Sequence, residues 1–149
     1  MKKGAVKSLC LAAMIVLTFL GCASSKPDPE AAKAKLNQMK AGHRIDDVSE
    51  TNFVYCAFMG DMEAVQLYLA SGMSPNAKNS FGRSPLISAA YAEKESPWYD
   101  KNADMIKLLL KSGADVKAKD NDGSTALMEA QKAGRPAIVQ LLKDAGATE

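Results

Sequence analysis

The chain of 149 residues has little of the chemistry that most enzymes need. It contains one histidine and one tryptophan, and aromatic residues make up only 6% of it. It has no glycine-rich phosphate loop, no paired histidines at metal-binding spacing and no serine motif of the kind that hydrolases use. These absences argue against nucleotide hydrolysis, zinc-protease chemistry and serine-dependent acyl transfer.

Cysteine is also scarce, with three residues in the whole chain. Cys10 lies in an apolar segment at the N-terminus, and Cys22 directly follows that segment. Cys56 therefore remains alone in the rest of the chain. The sequence excludes an internal disulfide, even in an oxidising compartment.

The first 22 residues have the order of a secretory signal. Lysines at positions 2, 3 and 7 precede an apolar run from Leu9 to Leu20, and Gly21-Cys22 follows. The run is short for a membrane-spanning helix and typical of a signal peptide, predicted at 1–21. A small residue before a cysteine resembles the bacterial lipoprotein cleavage site, which implies that Cys22 becomes the acylated first residue. The other interpretation is a soluble periplasmic or secreted protein with Cys22 near its cut site.

Residues 22–30 are polar, contain two prolines and read as a tether between lipid and folded domain. The residue directly after Cys22 is not an aspartate, which in lipoproteins of this type implies the periplasmic face of the outer membrane. Three of the 19 basic residues lie in the signal, leaving 16 against 17 acidic residues and a net charge of −1. We therefore do not expect nucleic acid to be a partner of a chain with this charge.

Three stretches of the chain, at 51–79, 84–120 and 125–147, can be laid over one another. Thr51, Ser84 and Thr125 open corresponding units, at offsets of 33 and 41 residues. The second offset equals the first plus an insertion of eight residues. Gly72, Gly113 and Gly146 close the units. A period of 33 residues indicates stacked pairs of helices.

The units resemble the ankyrin repeat. The middle unit matches it in Ser84-Pro85-Leu86, in Ala89-Ala90 and in the segment from Gly113 to Val116. The resemblance implies an all-α solenoid of about three helix-turn-helix repeats, at about 46–78, 79–119 and 120–149, with an insertion at 93–100. The helical composition of residues 31–41 suggests an irregular N-terminal cap, so the repeat domain is predicted at 31–149.

Each matched residue has a physical reason. Ser84 or Thr125 can cap a first helix by accepting a hydrogen bond from a free backbone N–H. Gly113 suits the left-handed position at the end of a second helix. The run Leu108–Leu110 supplies the buried stripe of that helix. Asp120 is a repeat residue that stabilises the hairpin joining two repeats.

The resemblance implies a monomeric protein-binding module, without cofactor and without enzymatic activity. Its partner would be an envelope or periplasmic protein, held on the concave face that hairpin tips and the ends of first helices form. The tips supply Asp47, Val48, Glu50, Lys78, Ser80, Phe81, Arg83, Lys119, Asn121, Asp122 and Ser124. The first helices supply Phe58, Met59, Tyr91, Ala92 and Lys132.

The insertion at 93–100 offers an alternative epitope through Trp98 and Tyr99. Insertions in solenoids project from one face and often bind partners, and both residue types are common interface anchors. Equally, Trp98 can fold back over the ends of neighbouring helices.

Two chemical alternatives concern Cys56. With Met59, Met62 and the single histidine, His43, it offers soft ligands that suit copper in an exported protein. As a nucleophile it would need a base to lower the pKa of its thiol, and nothing in the spacing pairs it with His43. Its place in the Ala-Ala pair of the repeat favours burial as a small apolar residue.

Overall fold

The computed structural model describes residues 28–42, 48–91 and 102–148. Within these ranges every regular element is a helix, so the predicted all-α class is confirmed. The described residues form seven helices, namely α1 (Pro29–Ala41), α2 (Glu50–Phe58), α3 (Met62–Ala70), α4 (Pro85–Ala90), α5 (Asn102–Lys111), α6 (Ala126–Lys132) and α7 (Pro136–Asp144). In the same ranges, none is long and apolar enough to cross a bilayer.

Serine and threonine side chains begin the first helix of each repeat. The hydroxyls of Ser84 and Thr125 each accept a hydrogen bond from the backbone N–H three residues on, at 3.3 Å. In the first repeat the cap is Ser49, at 3.2 Å from the corresponding N–H. Helix α2 therefore starts two residues earlier than the repeat alignment predicts, and Thr51 lies within it.

Glycine ends the second helix of each repeat, as predicted. Gly72, Gly113 and Gly146 have φ angles of +92°, +91° and +94°, a region that other residues rarely adopt. In all three, the next residue donates its N–H to the carbonyl five positions before it, at 2.9–3.1 Å. This bond closes the helix end, and its recurrence confirms the repeat register.

The helices pack in two rows. First helices α2, α4 and α6 lie side by side, each with its second helix, α3, α5 or α7, behind it. Buried alanines such as Ala89 and Ala90 keep the front row thin. Helix α1 packs on α3 and buries Leu36 and Met39. Because Asp28 caps α1 at Pro29, the last two residues assigned to the tether are helical.

A single core runs through the repeats. Phe53 of α2 and Tyr68 of α3 are fully buried, with ring centroids 5.2 Å apart. Leu109 of α5 is also fully buried, whereas Leu108 and Leu110 are only partly covered. Cys56 is 4% exposed and belongs to this core.

The two hairpin tips that the structure describes are built alike. The Oδ1 atom of Asn79 accepts hydrogen bonds from the N–H groups two and four residues on, both at 3.0 Å. Asp120 does the same at 3.0 and 2.8 Å. Asp115 accepts one such bond in the loop before, at 2.9 Å. These aspartates therefore use their carboxylates to close turns, as the repeat pattern predicts.

Two buried side chains meet where α4 ends. Asn102, the first residue of α5, donates its Nδ2–H to the Ala89 carbonyl at 3.2 Å. Arg135 of the third repeat donates from Nη1 to the Ala89 and Ala90 carbonyls, at 3.0 and 3.3 Å. Carbonyls at the end of α4, which the helix leaves without intrahelical partners, thus accept hydrogen bonds from α5 and from the third repeat.

Candidate functional site

A groove lies between the first helices of the first two repeats and the hairpin tip that joins them. Its volume is about 340 Å³. We call it the aromatic groove, and it is lined by Thr51, Val54, Tyr55, Phe58, Asn79, Phe81, Arg83, Ser88 and Tyr91. The structure thus brings residues of α2, the tip and α4, which are distant in sequence, to one concavity.

Four aromatic side chains dominate the groove. The ring centroids of Phe58 and Tyr91 are 6.2 Å apart, and those of Tyr55 and Phe58 are 6.4 Å apart. These spacings are typical of favourable ring pairs. Phe81 is 69% exposed, Tyr55 54% and Tyr91 36%. Exposed apolar side chains gathered in one concavity are typical of a binding site.

Arg83 makes two contacts at the side of the groove. Its guanidinium carbon lies 5.0 Å from the centroid of the Tyr91 ring, within the range of a cation–π contact. Its Nε atom is 3.4 Å from Oδ2 of Asp120, a carboxylate that is almost fully buried. The two contacts fix the arginine from both sides.

The next hairpin tip holds the Phe81 segment in place. The Asn121 N–H donates to the Phe81 carbonyl at 3.1 Å, and the Asn121 Nδ2–H donates to the Ser80 carbonyl at 3.2 Å. Gly82 makes this approach possible, because a Cβ atom there would lie 2.2 Å from Oδ1 of Asn121. Backbone groups of one tip therefore bind the other tip.

Two of the three lysines predicted at the concave face, Lys78 and Lys132, have partners within the chain. Lys78 donates from Nζ to the Lys119 carbonyl at 2.9 Å. Lys132 lies 2.9 Å from Oε1 of Glu129 and 3.3 Å from Oγ of Ser124. Ser124 is only 7% exposed, so its prediction as a surface residue is wrong, because its hydroxyl is turned inward and accepts a hydrogen bond from Lys132.

The other predicted positions fall into two groups. Those at the surface are Val48, Glu50, Ser80, Lys119, Asn121 and Asp122, with Met59 half-buried. Those outside the described residues are Cys22, Asp47, Ala92, Trp98 and Tyr99. Participation of both groups in binding stays a prediction.

Tyr55 is a groove residue that the sequence prediction missed. It lies three residues before Phe58 on α2, and residues three apart share a helix face. That spacing was a usable signal, since Phe58 had already been placed on the concave face. The repeat pattern does not indicate an aromatic residue at this position, because the corresponding residue of α4 is Ser88, which also lines the groove.

The two chemical alternatives gain nothing from the geometry. The sulfur of Cys56 lies in the hydrophobic core, away from the surface where a substrate or a metal would enter. Across 28–42, 48–91 and 102–148, no three histidine, cysteine, aspartate or glutamate side chains are grouped as metal ligands would be. His43 lies outside these ranges.

Comparison with known proteins matches the repeats. A family model described as "Ankyrin repeats (3 copies)" matches residues 19–120 and, in a second register, 53–148. The potassium channel GORK of Arabidopsis thaliana is 38% identical over 85 residues, which are 57% of this chain and 9% of the channel.

Two further relatives carry the repeat in their names. A putative ankyrin repeat-containing protein of the bacterium Treponema pallidum is 32% identical over 99 residues, or 66% of this chain. An ankyrin repeat-containing protein of Schizosaccharomyces pombe is 32% identical over 82 residues, or 54% of this chain. The match spans 30% of the treponemal protein and 35% of the yeast protein, so the similarity concerns repeats and not whole proteins.

Proposed function

The chain belongs to the ankyrin repeat family, a family of protein-binding modules that are typically not enzymes, and we propose that it binds its partner in the aromatic groove. We further propose that it works in the bacterial cell envelope, where it holds or inhibits one partner protein. The observation that carries the first proposal is the gathering of four aromatic rings in an open groove.

The exposure of these rings argues for a partner. Tyr55 and Phe81 each leave more than half of their surface to solvent, so the fold gains little from choosing aromatic residues there. Protein interfaces typically have large aromatic side chains at their centre and polar residues at their rim. Lys78 and Arg83 supply such a rim.

The test is capture of the partner from a bacterial envelope extract by the immobilised protein. Truncating an interface hot spot typically costs about 2 kcal/mol or more of affinity. Phe81→Ala and Tyr91→Ala should each weaken capture while leaving helix content and melting temperature near those of wild type. Met128→Ala is the matched control, because Met128 is an exposed apolar residue that does not line the groove.

The alternative epitope is tested in the same experiment. Trp98→Ala alters the insertion and changes none of the nine described residues that line the groove. If it alone abolishes capture, the partner binds the insertion and the groove proposal is wrong. If neither it nor the groove variants matter, the partner docks elsewhere.

The envelope location rests on Gly21-Cys22 after an apolar run. A lipid on Cys22 would leave the repeats facing the periplasm on a short tether. Cys22→Ser should then abolish incorporation of a labelled fatty acid and release the protein from the membrane fraction. A wild-type chain that takes up no label would overturn the anchoring proposal without affecting the groove.

A further inference from the structure

Arg83 adds a charge to a groove that is otherwise apolar or neutral. Of the nine described residues that line the groove, Arg83 alone is charged. Its Nε atom faces Asp120 and its guanidinium carbon lies over the Tyr91 ring. Its two terminal amino groups make no hydrogen bond within the ranges that the structure describes, and its side chain is 30% exposed. An arginine in this state is a ready donor fork for a carboxylate.

The surroundings of Arg83 favour an acidic occupant. Lys78 and Lys119 lie on the two adjacent tips, where the Lys78 ammonium group touches the Lys119 backbone. Neither lysine has a carboxylate partner among the described residues. Asp120, the carboxylate that faces Arg83, is buried behind it and does not line the groove. Asp122 is exposed on the same tip as Lys119, outside the groove lining.

The tips also restrict how an occupant can be held. The Phe81 and Ser80 carbonyls already accept from Asn121, and the Lys119 carbonyl accepts from Lys78. A partner strand therefore cannot pair with these carbonyls as it would with a free sheet edge. The volume of about 340 Å³ is at the small end of ligand pockets, about 300–1,000 Å³. It suits one or two side chains, not the face of a folded domain.

We propose, resting on the proposed function, that the groove binds an extended acidic segment of the partner protein. One apolar or aromatic side chain of that segment lies among Tyr55, Phe58 and Phe81. A neighbouring aspartate or glutamate accepts hydrogen bonds from the terminal amino groups of Arg83. Lys78 and Lys119 attract further acidic residues.

The test uses fluorescein-labelled peptides of about nine residues, acetylated and amidated, with a central phenylalanine. The neighbour of that phenylalanine is glutamate in one peptide, glutamine in the second and lysine in the third. The purified protein should bind the glutamate peptide roughly tenfold more tightly than the glutamine peptide, since a charge-assisted hydrogen bond is about twice as strong as a neutral one. It should bind the lysine peptide least.

Two variants assign the preference to Arg83. Arg83→Gln should bind the glutamate and glutamine peptides equally. Because Arg83→Gln leaves the Asp120 carboxylate buried without its cation, the double variant Arg83→Gln/Asp120→Asn checks the result in a fold free of that strain. Phe81→Ala should weaken binding of all three peptides. Lys111→Gln, on the exposed side of α5, should change nothing.

Equal affinity of the protein for the glutamate and glutamine peptides would overturn the inference, as would tighter binding of the lysine peptide. Failure of the glutamate peptide to bind at any soluble concentration would overturn it too. If Phe81→Ala still abolishes capture of the native partner in those cases, the proposed function stands and only the acidic occupant is wrong. If Phe81→Ala leaves native capture intact, the groove itself is wrong.

Discussion

The first and third repeats use the same two helix positions in opposite ways. In α2 these positions hold Tyr55 and Phe58, which line the aromatic groove. In α6 the corresponding residues are Glu129 and Lys132, which form an ion pair at 2.9 Å. The repeats share one backbone conformation, so only the side chains differ between the two ends of the concave face. One end is apolar, and the other carries an internal ion pair.

The ion pair adds a cost to binding at the third repeat. The Glu129 carboxylate is almost fully buried, whereas the Lys132 ammonium group is largely exposed. A partner that displaced Lys132 would leave a buried carboxylate without its cation, at a cost of about 1 kcal/mol because the exposed ammonium group is screened by water. A partner in the aromatic groove meets rings that are already open to solvent and displaces only water.

The largest expected effect is a loss of stability of the whole domain, which affects both ends of the face together. Leu109 lies fully buried in the repeat between them, and Leu109→Ala should lower the free energy of unfolding by about 2–5 kcal/mol. Thermal melting followed by circular dichroism measures this loss. An unchanged melting temperature would mean that the repeats are not coupled through this residue.

The next prediction compares how much each end of the face contributes to the affinity for the partner. Tyr55→Ala should weaken capture of the partner by about 2 kcal/mol or more, as at an interface hot spot. Lys132→Ala, at the other end of the face, should weaken capture by less than a quarter of that. Titration of each variant against the captured partner gives both values. Equal losses would show that the partner covers the whole face.

A third contrast concerns equivalent glycines at the two tips. Gly82→Ala places a Cβ atom 2.9 Å from the backbone nitrogen of Asn121 and closer still to its side chain, whereas Gly123→Ala meets nothing within 4 Å. Both have positive φ, +72° and +79°, so both carry the backbone penalty of about 1–2 kcal/mol. Gly82→Ala should cost about 1–3 kcal/mol more. Chemical denaturation of the pair measures the difference, and equal costs would contradict the close packing of the tips.

The smallest expected effect is on the ion pair itself. Lys132→Met removes the cation from Glu129 and should lower the free energy of unfolding by about 1 kcal/mol, because the exposed ammonium group is screened by water. Replacing both residues, as Glu129→Gln/Lys132→Met, should recover part of this loss. Denaturation curves of the single and double variants measure the coupling between the two residues. Identical curves would show that Glu129 and Lys132 are not coupled.

Much of the fold could be predicted because the repeat places special residues where backbone geometry demands them. Glycines at positions 72, 113 and 146 end helices in a left-handed conformation, and Ser84 and Thr125 cap helices. The start of α2 could not be predicted in this way. Ser49 and Thr51 are both good caps, and the alignment favours Thr51, whereas the structure uses Ser49.

The site was predicted less completely, since exposure depends on neighbours that the pattern does not specify. Ser124 is at a tip, yet its hydroxyl meets Lys132 from the following helix. Arginine is usually exposed, and yet Arg135 is buried against α4. Both outcomes depend on contacts between elements, whereas the placement of Phe58, Phe81 and Tyr91 followed from repeat position alone.

The convergence of Asn102 and Arg135 on the Ala89 carbonyl has a consequence for engineering. The two helices that flank the insertion, α4 and α5, are joined by the bond from Asn102 to Ala89, and Arg135 adds a second bond to the same carbonyl. Lengthening a connection between two fixed points costs little, at about 0.6 kcal/mol for each doubling of its length. Positions 93–100 are therefore a natural graft point, where a foreign loop or a reporter peptide can be inserted with little loss of stability.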